Sequence, residues 1–309
     1  MITTISLSPA VDKIYFVENF EAGKLYRVRN VKTSAGGKGI NVARVAAILG
    51  EDVCTAGFKA GGTGEWLEAR LKEMKVKTNF VQVEGESRTN NNIIDRAKGT
   101  ETEILEIGPH ITQQKADEFL ALYKTLLPGT DVLVCSGGLP DGVPTDFYAK
   151  MIELARPYDI KIILDTSGET LKSGIKAKPY MIKPNLRELG EYAGRQLVDL
   201  DDVIAACRDI LKEGISLVAA SMGSRGVLLV SEDKVLYSRT PEIEVVNTIG
   251  SGDSMVAGLA AALSQGRGPE DMLRLGTACA LANTQFDEIG FVTRGMVEKF
   301  MEEIIIEEF

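Results

Sequence analysis

The sequence predicts an α/β protein: a doubly wound, mostly parallel sheet flanked by helices, with a small β-sheet as a lid. Three observations predict it. Short runs rich in Val and Ile alternate with longer segments of helical period through most of the 309 residues, the pattern of βαβ units around a parallel sheet. The runs are apolar almost throughout, as strands buried on both faces must be. Two regions, 12–33 and 79–107, instead alternate polar and apolar residues with turn signals, the mark of half-exposed antiparallel sheet.

The elements follow in order. ITTISLS (2–8) has no basic flank or small-residue cleavage pattern, so it reads as a first strand and not as a signal. Region 12–33 comes next, then a helix at 39–49, the strand DVCTAGF (52–58), a helix at 64–74 and region 79–107. Helices at 112–126 and 145–156 flank the strand DVLVCSG (131–137); KIILDTS (161–167) and YMIKP (180–184) are further strands. A helix at 200–213, the strand LVAAS (217–221) and helices at 252–264, 269–285 and 293–305 complete the order. The expected division is a main α/β domain of 1–11, 34–78 and 108–309, with 12–33 and 79–107 pairing as an inserted lid beside the carboxyl ends of the strands.

Composition narrows the chemistry. No run of about 18 apolar residues exists to span a bilayer, and the expected compartment is the cytoplasm. The net charge of −9 opposes a general attraction to nucleic acid, while leaving room for a local basic site that takes a small phosphorylated ligand. Four cysteines without a CxxC pair oppose a zinc site or a disulfide framework. The one histidine, His110, reads as a loop residue and excludes any mechanism needing two. There is no GxxxxGK[ST], HExxH or complete GxGxxG. Any catalysis must therefore use carboxylates, lysines, arginines and backbone groups.

Four stretches carry such groups. In VVNTIGSGDSMVAGLAAAL (245–263) a strand-like apolar run breaks into Gly250, Ser251, Gly252 and Asp253, then continues as a helix. Uncovered backbone N–H groups and the positive end of the helix dipole suit an anion, yet Asp253 puts a carboxylate there. In SAGGKGINVARVAAILG (34–50), Gly36, Gly37 and Gly39 open a helix with Lys38 and Asn41 on its first turn, either a plain glycine turn or a second anion site. In MIKPNLREL (181–189), Lys183 and Asn185 end a strand, and Asn185 with Glu188 either caps the next helix or holds Mg²⁺ through water. SMGSRG (221–226) is a polar glycine loop between two apolar strands, or an ordinary hairpin turn.

The order Asp12, GGKGxN, Arg88 in an alternating strand, SGGLP (136–140), KPNxxE, a second glycine loop and GSGD before a long helix resembles the PfkB-type carbohydrate kinases, the ribokinase-like family, over essentially the whole chain. The resemblance implies ATP and Mg²⁺ as cofactors, with a sugar bound between the main domain and the lid. It makes Asp253 the general base, and gives the amides of Gly250, Ser251 and Gly252 the charge on the transferred phosphate. Lys183 and Asn185 would line the nucleotide phosphates, Glu188 and Asn185 would serve Mg²⁺ through water, and Ser221, Gly223 and Gly226 would border the nucleotide. Asp12, Gly37, Lys38 and Asn41 fall to the sugar, joined by Arg88 and Asn90 from the lid and by Ser136, Gly137 and Gly138. Asn283 and Cys279, spaced to share one side of a late helix, fit either the adenine pocket or helix packing.

Charge points to the acceptor. Lys38 and Arg88, with Arg27 or Lys24 on the lid, exceed what a neutral sugar requires and favour a hexose phosphate. A lid without such cations would have suited an unphosphorylated sugar, and loss of Asp253 a non-catalytic sensor. TISLSPAVDKIYFV and TEILEIGP resemble the branch acting on ketohexose phosphates; NLRELGEYAGRQL and DSMVAG favour fructose 1-phosphate, with tagatose 6-phosphate as the alternative. SGGLP departs from the more usual SGSLP, so Gly138 lacks a hydroxyl near the sugar. By the same analogy the lid sheet is a surface for a homodimer.

Overall fold

The computed structural model describes residues 1–309. Fourteen strands, numbered along the chain, form two sheets. The large sheet contains β1 (Ile2–Ser6), β4 (Val53–Ala60), β5 (Lys77–Val83), β8 (Val132–Ser136), β9 (Lys161–Asp165), β10 (Met181–Ile182), β11 (Leu217–Ser221), β12 (Val227–Val230), β13 (Val235–Arg239) and β14 (Ile305–Glu308), in the order β14-β13-β12-β11-β10-β9-β8-β1-β4-β5. Every pairing from β5 to β11 is parallel, and β12 to β14 continue antiparallel. The chain winds outward from β1 through β4 and β5, then returns to β8 and winds the other way. The carboxyl ends of β1 and β8 therefore flank a topological switch point, where such sheets bind ligands.

Two-faced burial explains the apolar runs. Val132 and Val134 of β8 enter one core, while Leu133 and Cys135 enter the other. The first core is closed by α1 (Lys38–Leu49), α2 (Gly61–Glu73), α8 (Ser251–Ser264), α9 (Pro269–Asn283) and α10 (Arg294–Glu303). The second is closed by α3 (Gln113–Leu126), α4 (Phe147–Ala155), α5 (Gly168–Lys176), α6 (Leu186–Ala193) and α7 (Leu200–Leu211). No helix is long and apolar enough to cross a membrane. The four cysteines are buried and unpaired.

The small sheet has the order β3-β2-β6-β7, from β2 (Ala10–Val17), β3 (Val31–Gly36), β6 (Arg88–Asp95) and β7 (Thr100–Leu105). Its central pair, β2 and β6, is parallel, so the sheet is mixed and not purely antiparallel as expected. Asp12, Asn90 and Leu105 share a row on one face, and Ile14, Asn92 and Glu103 form the next row.

The structure moves several boundaries. Residues 79–83, expected in the lid, lie in β5 and pair in parallel with β4. They alternate because an edge strand buries only one side: Val81 and Val83 are inside, Gln82 outside. The small sheet also begins earlier, at Ala10, and β3 runs to Gly36. The run before GSGD is not a strand; Val245 and Val246 are exposed, and the N–H groups of Val246 and Asn247 turn to Thr284 O. Helix α5 and the antiparallel β13 and β14 were not foreseen, the last because IIIEE reads as the tail of the preceding helix.

Candidate active site

A cavity of about 1230 Å³ opens between the small sheet and the carboxyl ends of β1, β8, β10 and β11. It gathers Asp12, Arg88 and Asn90 from the small sheet, Gly37, Lys38 and Asn41 from the start of α1, and Ser136, Gly137 and Gly138 after β8. Lys183, Asn185, Ser221, Gly223 and Gly226 line the far side, and Gly250 to Asp253 lie between. Three expected residues do not line it: Arg27, Glu188 and Asn283.

Asp253 stands in the first turn of α8, only 7% exposed, and its Oδ2 accepts a 2.8 Å hydrogen bond from Asn41 Nδ2. Burial pushes its carboxyl up to about 6; Lys38 opposes this, Asp165 adds to it, and Asn41 and Lys183 oppose it in turn. Gly250, at φ +83°, is left-handed, and a Cβ there would lie 2.7 Å from Gly290 N, so both the turn and its closeness to the 287–290 loop demand glycine. The N–H of Ser251 donates to Thr248 O at 3.2 Å, while those of Gly250, Gly252 and Asp253 meet no backbone acceptor. Of the three amides expected to form an anion hole, that of Ser251 is therefore occupied, while those of Gly250 and Gly252, and that of Asp253 beside them, are free.

Asp12, in β2, is buried and accepts from Asn90 Nδ2 at 2.7 Å. Burial raises its carboxyl to about 6, against the pull of Asn90, Arg88 and Arg44. A Cβ on Gly36 would lie 1.9 Å from Asp12 Oδ2; the first glycine of the motif makes room for a carboxylate as well as opening a helix. Arg88 is half-buried, with Nε donating to Ser8 O at 3.2 Å and Nη1 to Asn90 Oδ1 at 3.1 Å. Its guanidinium is anchored without meeting a carboxylate, which leaves its charge for an anion.

On the far side Asn185 and Glu188 form a reciprocal capping box: Asn185 Oδ1 accepts from Glu188 N at 2.9 Å, and Glu188 Oε2 accepts from Asn185 N at 3.0 Å. This box draws the Glu188 side chain off the cavity wall. No group of three His, Cys, Asp or Glu side chains could hold a metal by itself. The donor set still fits a hydrated Mg²⁺ held mainly by phosphates, since Asn185 faces the cavity and only Oε2 of Glu188 is used in the box. The wall beyond is apolar, from Ile243 and Val245 on the loop before GSGD and Ala280 and Leu281 on α9, as suits a flat heterocycle.

Asn283, expected to face the adenine, lies beneath the turn instead. Its Oδ1 accepts from Ser254 Oγ at 3.1 Å and Phe291 N at 3.2 Å, and its Nδ2 donates to Ile249 O at 3.0 Å. Cys279 is buried beside Gly258 of α8. Arg27 sits on the 18–30 segment, which folds over the outer face of the small sheet; Tyr26 and Val28 enter an apolar hollow there, and Arg27 between them is exposed. His110 is exposed and pairs with Asp141 at 2.7 Å.

Sequence reasoning missed two charged residues. Asp165, at the end of β9, is fully buried with Lys183 at 3.3 Å and Lys38 at 3.5 Å. Its position at the carboxyl end of an apolar strand was the available signal. Arg44 of α1 donates through Nη1 to Ala35 O at 2.9 Å and to Ile289 O at 2.8 Å, and it pairs with Glu288, tying the end of β3 to the loop beside Gly250. Helical spacing hid it on a face of alanines and valines.

Residues 2–287 match the family described as pfkB family carbohydrate kinase; the chain belongs to this family and is a carbohydrate kinase. It is 35% identical over 311 aligned residues to the tagatose-6-phosphate kinase of Staphylococcus epidermidis, covering 100% of both proteins. Among solved structures it is similar to a possible 1-phosphofructokinase of Thermotoga maritima, with TM-score 0.91 and 30% identity over 100% of this chain and 99% of that one. It is also similar to the tetrameric inhibited form of Escherichia coli phosphofructokinase-2, with TM-score 0.89 and 28% identity over 98% of each chain.

Proposed function

We propose that this kinase transfers the γ-phosphoryl group of MgATP to the primary hydroxyl of a ketohexose phosphate, giving a ketohexose 1,6-bisphosphate. One observation carries the reading. A buried carboxylate, Asp253, held by Asn41, shares its helix start with unpaired backbone N–H groups and opens into one cavity with Lys38, Lys183 and Arg88. A base and an anion hole at one point are what the attack of a hydroxyl on a phosphoryl group needs.

In this reading Asp253 takes the proton from the attacking hydroxyl, and the N–H groups of Gly250, Gly252 and Asp253 receive the charge that builds on the phosphoryl oxygens. Asn41 aims the carboxylate, while its own Oδ1, buried and unpaired, accepts from a sugar hydroxyl. Asp12 and Asn90 orient the sugar; Arg88 takes its phosphate. Lys183 and Asn185 meet the nucleotide phosphates. Asn185 and Glu188 would hold a hydrated Mg²⁺ through water, and the ion would supply charge neutralisation for the nucleotide phosphates. The small sheet covers the sugar and excludes water, so that hydrolysis does not compete.

Fructose 1-phosphate and tagatose 6-phosphate present the same chemistry from opposite ends: a phosphate on one terminal carbon and a primary hydroxyl on the other. A cavity with a cation at one end and a base at the other suits both. The motifs NLRELGEYAGRQL and DSMVAG support fructose 1-phosphate, and the full-length Staphylococcus relative supports tagatose 6-phosphate. The test is ADP release with MgATP, comparing kcat/KM for these two, fructose 6-phosphate and ribose. A preference for either of the first two is expected; turnover of ribose alone would refute the assignment of Arg88. We further assign the enzyme to the cytoplasm, and the outer face of the small sheet to a second copy of the chain.

A further inference from the structure

Asp165 is a buried carboxylate that none of these roles uses. It closes β9 in register with Ser136 at the end of β8, is fully buried and does not line the cavity. Three donors converge on it from separate parts of the chain. Lys183 Nζ lies 3.3 Å from Oδ1, Lys38 Nζ 3.5 Å from both oxygens, and Ser136 Oγ donates to Oδ2 at 3.4 Å. Burial opposes its ionisation, yet Lys183 and Lys38 hold the carboxyl below its ordinary range, so the trio carries one surplus positive charge. Lys38 is 41% exposed toward the cavity, whereas Lys183 is buried beside Gly252 of the anion hole.

A carboxylate needed only for stability is poorly served this way, since a buried ion pair roughly breaks even against apolar packing unless its geometry is tight. These contacts are long beside the about 2.7–2.9 Å of a tight charge-assisted bond, and an ammonium group that gives one hydrogen to Asp165 keeps two for other acceptors. The two lysines also divide between the substrates: Lys38 projects from the helix start on the sugar side, Lys183 from the strand end on the nucleotide side.

We propose that Asp165 is a positioning residue for phosphoryl transfer: it holds Lys38 and Lys183 as a pair across the boundary between the two substrates, so that the phosphoryl group passes between two ammonium groups at a fixed spacing. The inference rests on the phosphoryl-transfer reading above. Asp165 acts through the lysines and touches neither substrate.

The test is a mutant cycle of four proteins: wild type, Asp165→Asn, Lys38→Met with Lys183→Met, and the triple variant. Each is titrated with MgATP by calorimetry and assayed for kcat and KM with fructose 1-phosphate and tagatose 6-phosphate. Asp165→Asn is expected to lower kcat about 100-fold and to raise KM for both substrates, while in the lysine-free background the same change alters the MgATP Kd less than about twofold. A merely structural residue would reduce the amount of active enzyme at unchanged KM and would have equal effects in both backgrounds; either result overturns the proposal, as does a wild-type-like Asp165→Asn. If Asp165→Asn does not fold alone, the triple variant decides. A folded triple that binds MgATP like the double supports the role, because the stranded cations are gone; an unfolded triple overturns it. Wild-type enzyme that turns over neither ketohexose phosphate would refute the functional reading, and the calorimetric arm would still judge Asp165.

Discussion

In the proposed reaction Asp253 must be ionised to accept a proton, and its burial sets the pH at which that holds. With the carboxyl raised to about 6, kcat/KM is expected to fall as pH drops through about 6, well above the range of an ordinary carboxylate. Asp253→Asn should lower kcat about 10²- to 10⁴-fold while leaving the Kd for ATP nearly unchanged. Near wild-type turnover would dismiss it as the base. The same shift has a stability consequence of opposite sense. Because the folded pKa lies above the unfolded one, ionising Asp253 destabilises the fold increasingly between about pH 4 and pH 6 and by a constant amount above. Asp253→Asn is therefore expected to stabilise the protein at pH 7 by on the order of 1–3 kcal/mol and to be neutral near pH 4, read from urea unfolding at the two pH values. Gly36→Ala should act on the sugar alone, raising its KM more than about tenfold at unchanged KM for ATP, since the new methyl group displaces Asp12. Most of these residues were legible because strand ends and helix starts are local features. Asn283 and Arg27 were not, because helical spacing gives a face without its neighbour and strand alternation gives two faces without saying which is inside. Asp165 was hidden because Lys38 is 127 residues away.

Elements of the small sheet meet the 248–250 and 287–290 loops directly. Ile14 of β2 and Ile94 of β6 pack against Ile289, with Phe16 and Ile249 at the border. Lys32 of β3 lies 3.6 Å from Asp287, and Thr248 Oγ1 donates to Glu101 of β7 at 3.4 Å. The loops they touch are those that carry Gly250 and Gly290, so the position of the small sheet and the shape of the turn at Gly250 are linked through apolar contact. Ile94→Ala opens a gap in that contact and should weaken closure by about 2 kcal/mol. The expected readouts are a rise in KM for the sugar phosphate and faster ADP release without sugar; unchanged values of both would show that the cluster does not govern the lid. The small sheet was visible in the sequence as two alternating regions, since half-exposed strands leave that imprint. Its border was misplaced at β5 because an edge strand of the main sheet alternates for the same reason. Helix α5 escaped notice because Leu171 and Ile175 provide only one pair of apolar residues at helical spacing.

For the molecule as a whole, the surface proposed for a second copy is the outer face of the small sheet. Tyr15, Val17, Phe20, Tyr26, Val28, Val31 and Ile93 line an apolar hollow of about 380 Å³ there, and Val31 remains 41% exposed. Two copies of a chain with net charge −9 repel each other, so association needs apolar contact to outweigh the charge. Salt screens the repulsion without weakening that contact. The wild-type protein is therefore expected to sediment as a dimer whose dissociation constant falls as sodium chloride is raised from low to moderate concentration. Val31→Asp should place a carboxylate in the contact and yield a species of 33.4 kDa, with unchanged far-ultraviolet circular dichroism because the side chain is partly outside the monomer core. A dimer that survives Val31→Asp would move the interface away from this face. One that loosens with salt would mean that ion pairs and not the hollow hold the copies together.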